Sequence, residues 1–317
     1  MIHIIGGGLT GIALAKVFSS IDEITIYEKT DSLGGLCKNI DKPYTNFKPG
    51  LYGEHIFHTD NEDVASLFKS LFENVEFYEH RANIYLNGEF KEFPINKKSF
   101  VSNLMEKVFL NYSKKQWGTD DLEYLKNKIV RVKPKDTFDD RYFKERYQYI
   151  PKNNVFDFVI PENVQVKFNT EMNKEKITKI SNNELVLNTS NLDDFYGTNF
   201  LKYRSLDFEF GEHKTDYFKG KAITINYPSE EYKYTRVHNY EYCISYEFPC
   251  EYIKGKNLPM YPSDDINISN IFNIEKIKNF YKDGNIYHLG RLGSYQYMDM
   301  DKCLEQVLVF KEYYDKI

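Results

Sequence analysis

Three glycines near the amino terminus have the spacing of a ligand-binding turn. Gly6, Gly8 and Gly11 form a G-x-G-x-x-G pattern. The apolar run Ile2–Ile5 before them has the composition of a buried parallel strand, and a helix-like run follows. In such a unit the first glycine permits a tight turn, the second lets backbone N–H groups approach a pyrophosphate, and the third allows close helix–strand packing. The pattern predicts a dinucleotide site, and a glycine-rich turn without a ligand is the alternative.

An acidic residue and a second glycine pair indicate which dinucleotide is bound. Glu28 follows a second apolar strand and lies 17 positions after Gly11, where it could accept hydrogen bonds from ribose hydroxyls. The pair Gly34-Gly35 predicts another backbone segment close to the cofactor. FAD domains of the glutathione-reductase type have such a segment more often than NAD domains, so FAD is favoured. A plain turn is the alternative for this pair.

Composition excludes several classes of protein. The 317 residues suffice for about two domains of roughly 150 residues. Lys+Arg 42 against Asp+Glu 47 gives a net charge of −5, so no global positive field attracts nucleic acid or an anionic membrane. Tyrosine is abundant, with 27 residues, whereas only seven of the basic residues are arginine. A single arginine is therefore better evidence for a site than a single tyrosine.

Cysteine and histidine give no metal-site pattern. The four cysteines are Cys37, Cys243, Cys250 and Cys303. They lie far apart and form no C-x-x-C pair, which argues against a zinc site or a disulfide framework and fits a reducing compartment. His55 and His58 have no third ligand nearby in the sequence, so packing at the cofactor is favoured over metal binding. No signal-peptide pattern and no run of 18 apolar residues occurs, which predicts a cytoplasmic protein.

Periodicity predicts the elements that position these residues. Apolar residues recur at helical spacing over 64–72, with Thr59 or Asp60 as the expected cap, and again over 101–112. Residues 83–93 alternate around Asn87-Gly88, which predicts a hairpin. Short strand-like segments between about 201 and 262 predict an antiparallel sheet, and a helix is expected from about Asp301.

Six short motifs resemble a known family. In the order of the chain they are His55–Thr59, Lys115–Gly118, Thr137–Gln148, Tyr203–Leu206, Tyr234–Arg236 and Gly290–Met300. With the amino-terminal unit they cover most of the chain and are similar to UDP-galactopyranose mutases. The resemblance implies a flavoenzyme that interconverts the pyranose and furanose forms of a nucleotide-diphosphate sugar, UDP-galactopyranose or a close analogue. Reduced FAD would act there as a nucleophile at the anomeric carbon, through flavin N5, without net redox change.

The resemblance also implies which residues bind FAD. His55 and Ile56 are expected against the flavin, Val166 near the adenine, and Arg291 at the ring and pyrophosphate. The full implied set is Gly6, Gly8, Thr10, Gly11, Glu28, Lys29, Gly35, Leu36, His55, Ile56, Val166, Arg291, Met298, Asp299, Met300 and Cys303.

A second set is implied for the substrate. Tyr112 and Trp117 are expected around the nucleotide base. The residues expected around the diphosphate and the sugar are Tyr142, Tyr147, Asn226, Arg236, Tyr261 and Tyr297. Arg236, Lys135 and Tyr297 are the implied catalytic residues, with the flavin as nucleophile. Core packing is the alternative for Trp117 and several of the tyrosines. Arg236 is harder to explain as core, because arginine is rarely buried without an anion or a carboxylate partner. Arg204 is expected to be structural.

Three features depart from the family. Only 18 residues separate Asn96 from Lys115, where the family has a several-helix insertion, so the nucleotide base and the oligomeric state stay open. Lys135 takes the place of a phosphate-binding arginine, and a lysine cannot form the same bidentate fork. The segment Thr189–Asn191 replaces a Thr-Gly-Pro sequence at the edge of the FAD site.

The predicted fold class is α/β. It combines a Rossmann-like FAD-binding domain, an antiparallel β substrate domain and a reduced helical insertion. The predicted bounds are 1–70, 152–196 and 284–317 for the first, 71–96, 134–151 and 197–283 for the second, and 97–133 for the insertion. Two other functions stay open: an FAD-dependent oxidoreductase of the amine-oxidase type, which would not need the Trp117 and Arg236 motifs, and a non-catalytic module that keeps FAD for stability.

Overall fold

The computed structural model describes residues 1–40, 49–96, 105–126, 137, 139, 141–212, 224–240 and 243–317. Its strands are β1 (Ile2–Ile5), β2 (Ile24–Tyr27), β3 (Phe57–Thr59), β4 (Val75–Phe77), β5 (Ala82–Leu86), β6 (Glu89–Phe93), β7 (Tyr147–Pro151), β8 (Val164–Lys167), β9 (Leu185–Asn188), β10 (Tyr203–Glu212), β11 (Thr224–Asn226), β12 (Arg236–Asn239), β13 (Cys243–Glu251), β14 (Tyr261–Pro262), β15 (Glu275–Ile277), β16 (Phe280–Asp283) and β17 (Ile286–His288). Its α-helices are α1 (Leu9–Phe18), α2 (Glu62–Ser70), α3 (Met105–Trp117), α4 (Leu122–Lys126), α5 (Lys174–Ile180), α6 (Leu192–Tyr196), α7 (Ile268–Phe272), α8 (Gly290–Gly293) and α9 (Met300–Tyr314). Two short 3-10 helices span Gly35–Cys37 and Lys152–Asn154.

The first sheet carries the glycine-rich turn. In the described residues its strand order is β15-β16-β17-β9-β1-β2-β8, with β17, β9, β1, β2 and β8 parallel. Every residue of β1 and β2 is buried, as expected for strands covered on both faces. Helices α1 and α9 pack together through Phe18 and Phe310, whose ring centroids lie 5.6 Å apart. The predicted Rossmann-like fold is confirmed, and its strand order changes direction at β1, where such folds bind ligands.

The second sheet is antiparallel except where β5 runs parallel to β11. Its order in the described residues is β14-β10-β13-β12-β11-β5-β6. The register places Arg236 opposite both Asn226 and Glu247. The predicted hairpin is present, since Asn87 and Gly88 adopt φ of 52° and 84° between β5 and β6. A third, three-stranded sheet has the order β3-β7-β4. It is antiparallel, and His58 of β3 pairs with Gln148 of β7.

Two details differ from the sequence prediction. Helix α2 is capped by Asn61 instead of Thr59 or Asp60, because Thr59 ends β3 and the Asn61 Oδ1 accepts hydrogen bonds from the N–H groups of Asp63 and Val64. Residues 275–283 lie inside the predicted substrate domain, yet they form β15 and β16 at the edge of the first sheet. Strand β16 pairs antiparallel with β17, which extends that sheet. The other domain bounds stay a prediction.

None of the helices among the described residues is both long enough and apolar enough to cross a membrane.

Buried histidines hold parts of this fold together in the neutral state. His288 is the last residue of β17 and pairs with Asn188 of β9; its Nε2 lies 2.9 Å from Tyr196 Oη and its Nδ1 lies 3.1 Å from Asn188 Nδ2. Ser190 donates to Asn188 Oδ1, which fixes the amide so that its NH₂ group faces the ring. The imidazole Nδ1 must therefore accept, and burial lowers the pKa of His288 to about 3. Burial also lowers the pKa of His80 to about 3.

These two histidines predict a loss of stability in mild acid. Below pH 6.5 the unfolded imidazoles bind protons while the folded ones stay neutral. The unfolded state therefore binds more protons, and the protein becomes less stable as the pH is lowered. At pH 5 each contributes a loss of about 2 kcal/mol. In urea unfolding, the difference in unfolding free energy between pH 8 and pH 5 should shrink by about that amount in His288→Gln. An unchanged difference would show that His288 is protonated in the folded protein.

Candidate active site

The glycine-rich turn leaves the amino end of α1 open to an anion. Gly8 is the N-cap residue, so no side chain covers the first N–H groups of the helix. Gly6 has φ of +97°, and a Cβ at Gly11 would lie 2.0 Å from the Gly6 carbonyl oxygen. Only glycine therefore permits this approach of α1 to the turn. The arrangement is one that a dinucleotide pyrophosphate fits.

The second glycine pair lies directly against this turn. The Gly34 N–H donates to the Gly7 carbonyl oxygen at 2.8 Å, and a Cβ at Gly35 would lie 3.1 Å from Gly8 Cα. The two backbone segments thus line one narrow surface. Leu36 follows in the 3-10 helix Gly35–Cys37, on the same segment.

Glu28 organises the turn from the end of β2. Its buried carboxylate accepts hydrogen bonds from the Gly7 N–H and from both the N–H and the hydroxyl of Thr30, each at 2.8 Å. The sequence predicted only a ribose contact for this residue. A carboxylate has about four lone-pair positions, so one is left for a ligand hydroxyl after these three bonds.

Three other residues predicted to bind the dinucleotide have identifiable neighbours. Thr10 packs against Gly290, where an added Cβ would lie 2.8 Å from its hydroxyl oxygen. Val166 lies on β8 opposite Ile26 of β2. Lys29 is half-exposed and lies 3.7 Å from the Asp194 carboxylate.

The loop before β3 supplies His55, and helix α8, which follows β17, supplies Arg291. The His55 Nδ1 lies 2.9 Å from the Gly53 carbonyl oxygen, so Nδ1–H donates and Nε2 is the acceptor. Burial, together with the charge of Arg291, lowers the pKa of His55 to about 4. Ile56 adjoins it before β3, and neither His55 nor His58 belongs to a group of three potential metal ligands in the described residues.

Arg291 is fixed by backbone and by aromatic rings. Its Nε donates to the Met298 carbonyl oxygen at 2.7 Å, and its guanidinium lies 5.5 Å from the Tyr261 ring and 5.6 Å from the Tyr297 ring. Asp299 is the N-cap residue of α9, Met300 begins that helix, and Cys303 is buried in its first turn. Arg291 therefore joins the dinucleotide side of the molecule to the tyrosines expected at the substrate.

Arg236 lies at the start of β12 with part of its hydrogen-bonding capacity unused. Its Nη1 is 3.7 Å from Glu247 Oε2, and its guanidinium lies 5.8 Å from the Tyr112 ring. The Arg236 Nε and the Tyr112 hydroxyl are both buried without a hydrogen-bond partner. Buried polar groups in native proteins are nearly always satisfied, so these two atoms indicate a polar ligand at this position.

A buried polar chain lies behind Arg236. Glu247 Oε1 is 2.6 Å from His238 Nε2, and His238 Nδ1 is 3.1 Å from the Thr224 hydroxyl. Burial alone would raise the pKa of Glu247, but the contacts with His238 and Arg236 outweigh it and lower that pKa below its usual range. Glu247 is therefore ionised and balances the charge of Arg236. The sequence analysis missed this residue, because its signal is the strand register that places it opposite Arg236.

The remaining aromatic residues divide into two groups. Tyr142 and Tyr261 lie close enough to Arg236 to interact electrostatically with its guanidinium. The ring of Tyr297 stacks on that of Tyr261 at 5.6 Å between centroids, and the Trp117 ring lies 5.9 Å from that of Tyr297. Tyr147 lies elsewhere: it is opposite Thr59 on β7 and packs against the core of the first sheet. This placement favours the structural alternative for Tyr147.

Two further predicted residues have different outcomes. Asn226 is buried opposite Arg236, and its Nδ2 donates to the Asn83 carbonyl oxygen at 3.2 Å. Lys135 lies outside the described residues. Arg204 is structural, since its Nε donates to the Gln116 carbonyl oxygen at the end of α3.

Comparison with known proteins places this arrangement in a family. A family model described as UDP-galactopyranose mutase matches residues 107–297, and one described as an NAD(P)-binding Rossmann-like domain matches residues 4–71. The chain belongs to the UDP-galactopyranose mutase family. The resemblance seen in the sequence is thereby confirmed, as is the prediction of an isomerase of the mutase type.

Relatives of this mutase cover nearly the whole chain. A dTDP-fucopyranose mutase of Escherichia coli is 26% identical, covering 99% of this chain and 98% of the relative. A probable UDP-galactopyranose mutase of Klebsiella pneumoniae is 27% identical, covering 97% and 92%. The Escherichia coli alignment has 375 positions against 317 residues here, so at least 58 residues of that relative have no counterpart. This shortfall agrees with the reduced insertion.

A solved structure has the same fold. The crystal structure of a reduced UDP-galactopyranose mutase matches with a TM-score of 0.65 and 14% identity, over 97% of this chain and 92% of that one. The match confirms the fold that the sequence predicted for this mutase.

The packing of Gly11 predicts how the mutase responds to one added methyl group. Gly11→Ala places Cβ against the Gly6 carbonyl and should lower stability by about 1–3 kcal/mol, the cost of overpacking. Gly211→Ala is the matched control, because a Cβ there meets nothing within 4 Å. Thermal unfolding and the amount of dinucleotide retained after purification measure the effect. Equal behaviour of the two variants would show that α1 can move away from the turn.

Proposed function

We propose that this protein is an FAD-dependent mutase that interconverts the pyranose and furanose forms of a nucleotide-diphosphate sugar. The observation that supports this most directly is that two buried groups, Arg236 Nε and Tyr112 Oη, have no hydrogen-bond partner in the protein. An anionic ligand with hydrogen-bond acceptors would satisfy both. They lie in one continuous group with Arg291, the residue that connects them to the dinucleotide side. A diphosphate has the charge and the acceptor oxygens that this group needs.

FAD is the cofactor that the residues of the first sheet fit. The open amino end of α1 suits its pyrophosphate, the remaining lone pair of Glu28 suits a ribose hydroxyl, and the bare backbone at Gly34-Gly35 leaves room for an extended dinucleotide. Reduced FAD supplies, when bound, a nucleophile at N5 for the anomeric carbon. Each other contribution to the reaction comes from the chain.

Arg236 is proposed to stabilise the departing diphosphate. Negative charge develops on the leaving group, and a fixed guanidinium in a partly dry cleft stabilises that charge without reorganisation. Glu247 holds the guanidinium from behind, and the Tyr112 ring covers one face of it. Lys135 is proposed to contact the same diphosphate as a point charge, and Tyr297 to border the sugar.

Arg291 and His55 are proposed to set the electrostatics beside the flavin. Arg291 is held in place by the Met298 carbonyl, so its charge is fixed in position. His55 stays neutral at ordinary pH because its pKa is lowered to about 4, and its Nε2 therefore accepts rather than donates. The two side chains together present one permanent positive charge and one neutral acceptor.

We also propose which sugar and which nucleotide base the substrate contains. The two curated relatives are named for different pairs, dTDP with fucose and UDP with galactose. UDP-galactopyranose is proposed as the substrate class, with close analogues included. A cytoplasmic location and a role in cell-surface polysaccharide synthesis remain predictions from the sequence.

Redox gating is the test that separates the mutase from the alternatives. UDP-galactopyranose and dTDP-fucopyranose are incubated with the FAD-loaded protein with and without dithionite, and furanose products are separated by chromatography. Turnover is expected only after reduction, because oxidised flavin is too electron-poor to act as a nucleophile, and without stoichiometric use of reductant. Oxygen consumption by the oxidised protein with an amine or alcohol would identify an oxidoreductase. Bound FAD without either activity would leave the non-catalytic module.

Removing the Arg236 guanidinium should weaken turnover and leave FAD in place. Loss of a charge-assisted hydrogen bond costs about 1.5–3 kcal/mol, so Arg236→Ala should reduce kcat/KM by about tenfold or more. Arg146→Ala is the control, because Arg146 is exposed beside Tyr147. Lys135→Ala should have a smaller effect, and Lys135→Arg should restore a bidentate fork. If Arg236→Ala keeps wild-type kinetics, the diphosphate is held elsewhere.

A further inference from the structure

Lys115 places its ammonium group inside a loop of the second sheet. Its Nζ donates to the carbonyl oxygens of Tyr227, Ser229, Tyr232 and Tyr234, the last three at 3.0, 3.1 and 2.9 Å. All four acceptors belong to the loop that joins β11 to β12. One side chain of α3 therefore contacts nearly the whole course of this loop.

The loop is joined at both ends to residues of the candidate active site. Asn226 is the last residue of β11 and Arg236 the first of β12, and the two are paired in the register. The Thr235 N–H donates to the Glu247 carbonyl oxygen at 2.9 Å, next to the carboxylate that holds Arg236. The path of the loop thus determines where the Arg236 backbone enters the sheet.

Helix α3 lies against Arg236 from another side. Tyr112 lies one turn before Lys115 on this helix, and its ring faces the Arg236 guanidinium. Trp117 follows two residues later and contacts Tyr297. Lys115 is therefore the side chain through which the helix that carries Tyr112 and Trp117 is bonded to the loop that leads to Arg236.

The chemistry of the contact suits a fixed connection. Four carbonyl oxygens directed at one point resemble the surroundings of a monovalent cation, and here the cation is covalently attached to α3. An ammonium has three N–H groups, so the four acceptors share them. Lys114, the preceding residue, instead extends to the exposed Asp120 carboxylate at 2.8 Å. Adjacent lysines thus have different surroundings, which provides a matched control.

We propose that Lys115 is a positioning residue that holds the loop Tyr227–Tyr234, and through it Arg236, in the geometry that binds the substrate diphosphate. This inference rests on the proposed function. It assigns Lys115 no contact with substrate or cofactor. Replacing Lys115 is expected to weaken binding of the nucleotide sugar and to leave FAD binding unchanged, because the glycine-rich turn belongs to the first sheet.

The test compares Lys115→Met with Lys114→Met in the FAD-loaded enzyme. Lys115→Met keeps the length of the side chain but removes its charge and donors. It should raise KM for the nucleotide sugar about tenfold or more, with the FAD content per chain unchanged, whereas Lys114→Met should stay within about twofold of wild type. UDP and dTDP binding, followed by the fluorescence of the single tryptophan, Trp117, should weaken in parallel. Lys115→Arg, which keeps the charge and donors, should recover part of the affinity.

Hydrogen exchange of peptides that cover residues 227–235 provides a readout independent of turnover. Exchange should accelerate in Lys115→Met and not in Lys114→Met. If the wild type turns over no nucleotide sugar, the proposed function fails, and exchange still decides whether Lys115 holds the loop. Wild-type KM and exchange in Lys115→Met would overturn the inference, as would faster exchange with unchanged KM. Loss of FAD from both Lys115→Met and Lys115→Arg would also overturn it, because the role would then be general stability.

Discussion

The close approach of α1 to the turn before it is the constraint on which the dinucleotide side depends. A Cβ at Gly11 would lie 2.0 Å from the Gly6 carbonyl oxygen, so the absence of a side chain sets the position of the helix amino end. Neighbouring segments then bond to the turn: the Thr189 hydroxyl to the Ile5 carbonyl at 2.9 Å, the Gly34 N–H to the Gly7 carbonyl, and the Gly7 N–H to Glu28. The segment that replaces Thr-Gly-Pro in this family is thus bonded to the turn as well.

Around Arg236 the corresponding constraint is charge balance. The Arg236 side chain is partly buried, with 34% of its surface exposed, and an unpaired charge on its buried part would be costly. Glu247, which is 4% exposed, offsets that charge and is itself bonded to His238. Because the carboxylate is engaged on one side by the imidazole, the guanidinium keeps donors for another anion. A pair that satisfied itself completely would stabilise the sheet and offer less to a ligand.

Local patterns predicted the parts of this structure that are local in the chain. The G-x-G-x-x-G turn and the Asn87-Gly88 hairpin depend on neighbouring residues, so their spacing was sufficient evidence. The partner of Arg236 was not predictable in this way, because Glu247 reaches it only through the register of two strands. The same holds for β15 and β16, whose place in the first sheet depends on pairing with β17. The order of the motifs identified the family. It also grouped Tyr147 with the site residues, whereas in the structure Tyr147 packs against the core of the first sheet.

The short insertion raises the question of how Tyr112 and Trp117 are held. At least 58 residues of the Escherichia coli relative have no counterpart here, yet α3 is bonded to the second sheet at several points. Arg204 of β10 donates to the carbonyl end of α3. The next helix, α4, is bonded to the residue after β14, where the Tyr124 hydroxyl donates to the Ser263 carbonyl at 2.6 Å. With Lys115 in the β11–β12 loop, these contacts come from separate parts of the sheet, so they restrict rotation as well as translation of the helix. The second sheet and its β11–β12 loop thus anchor the helix that carries both aromatic side chains.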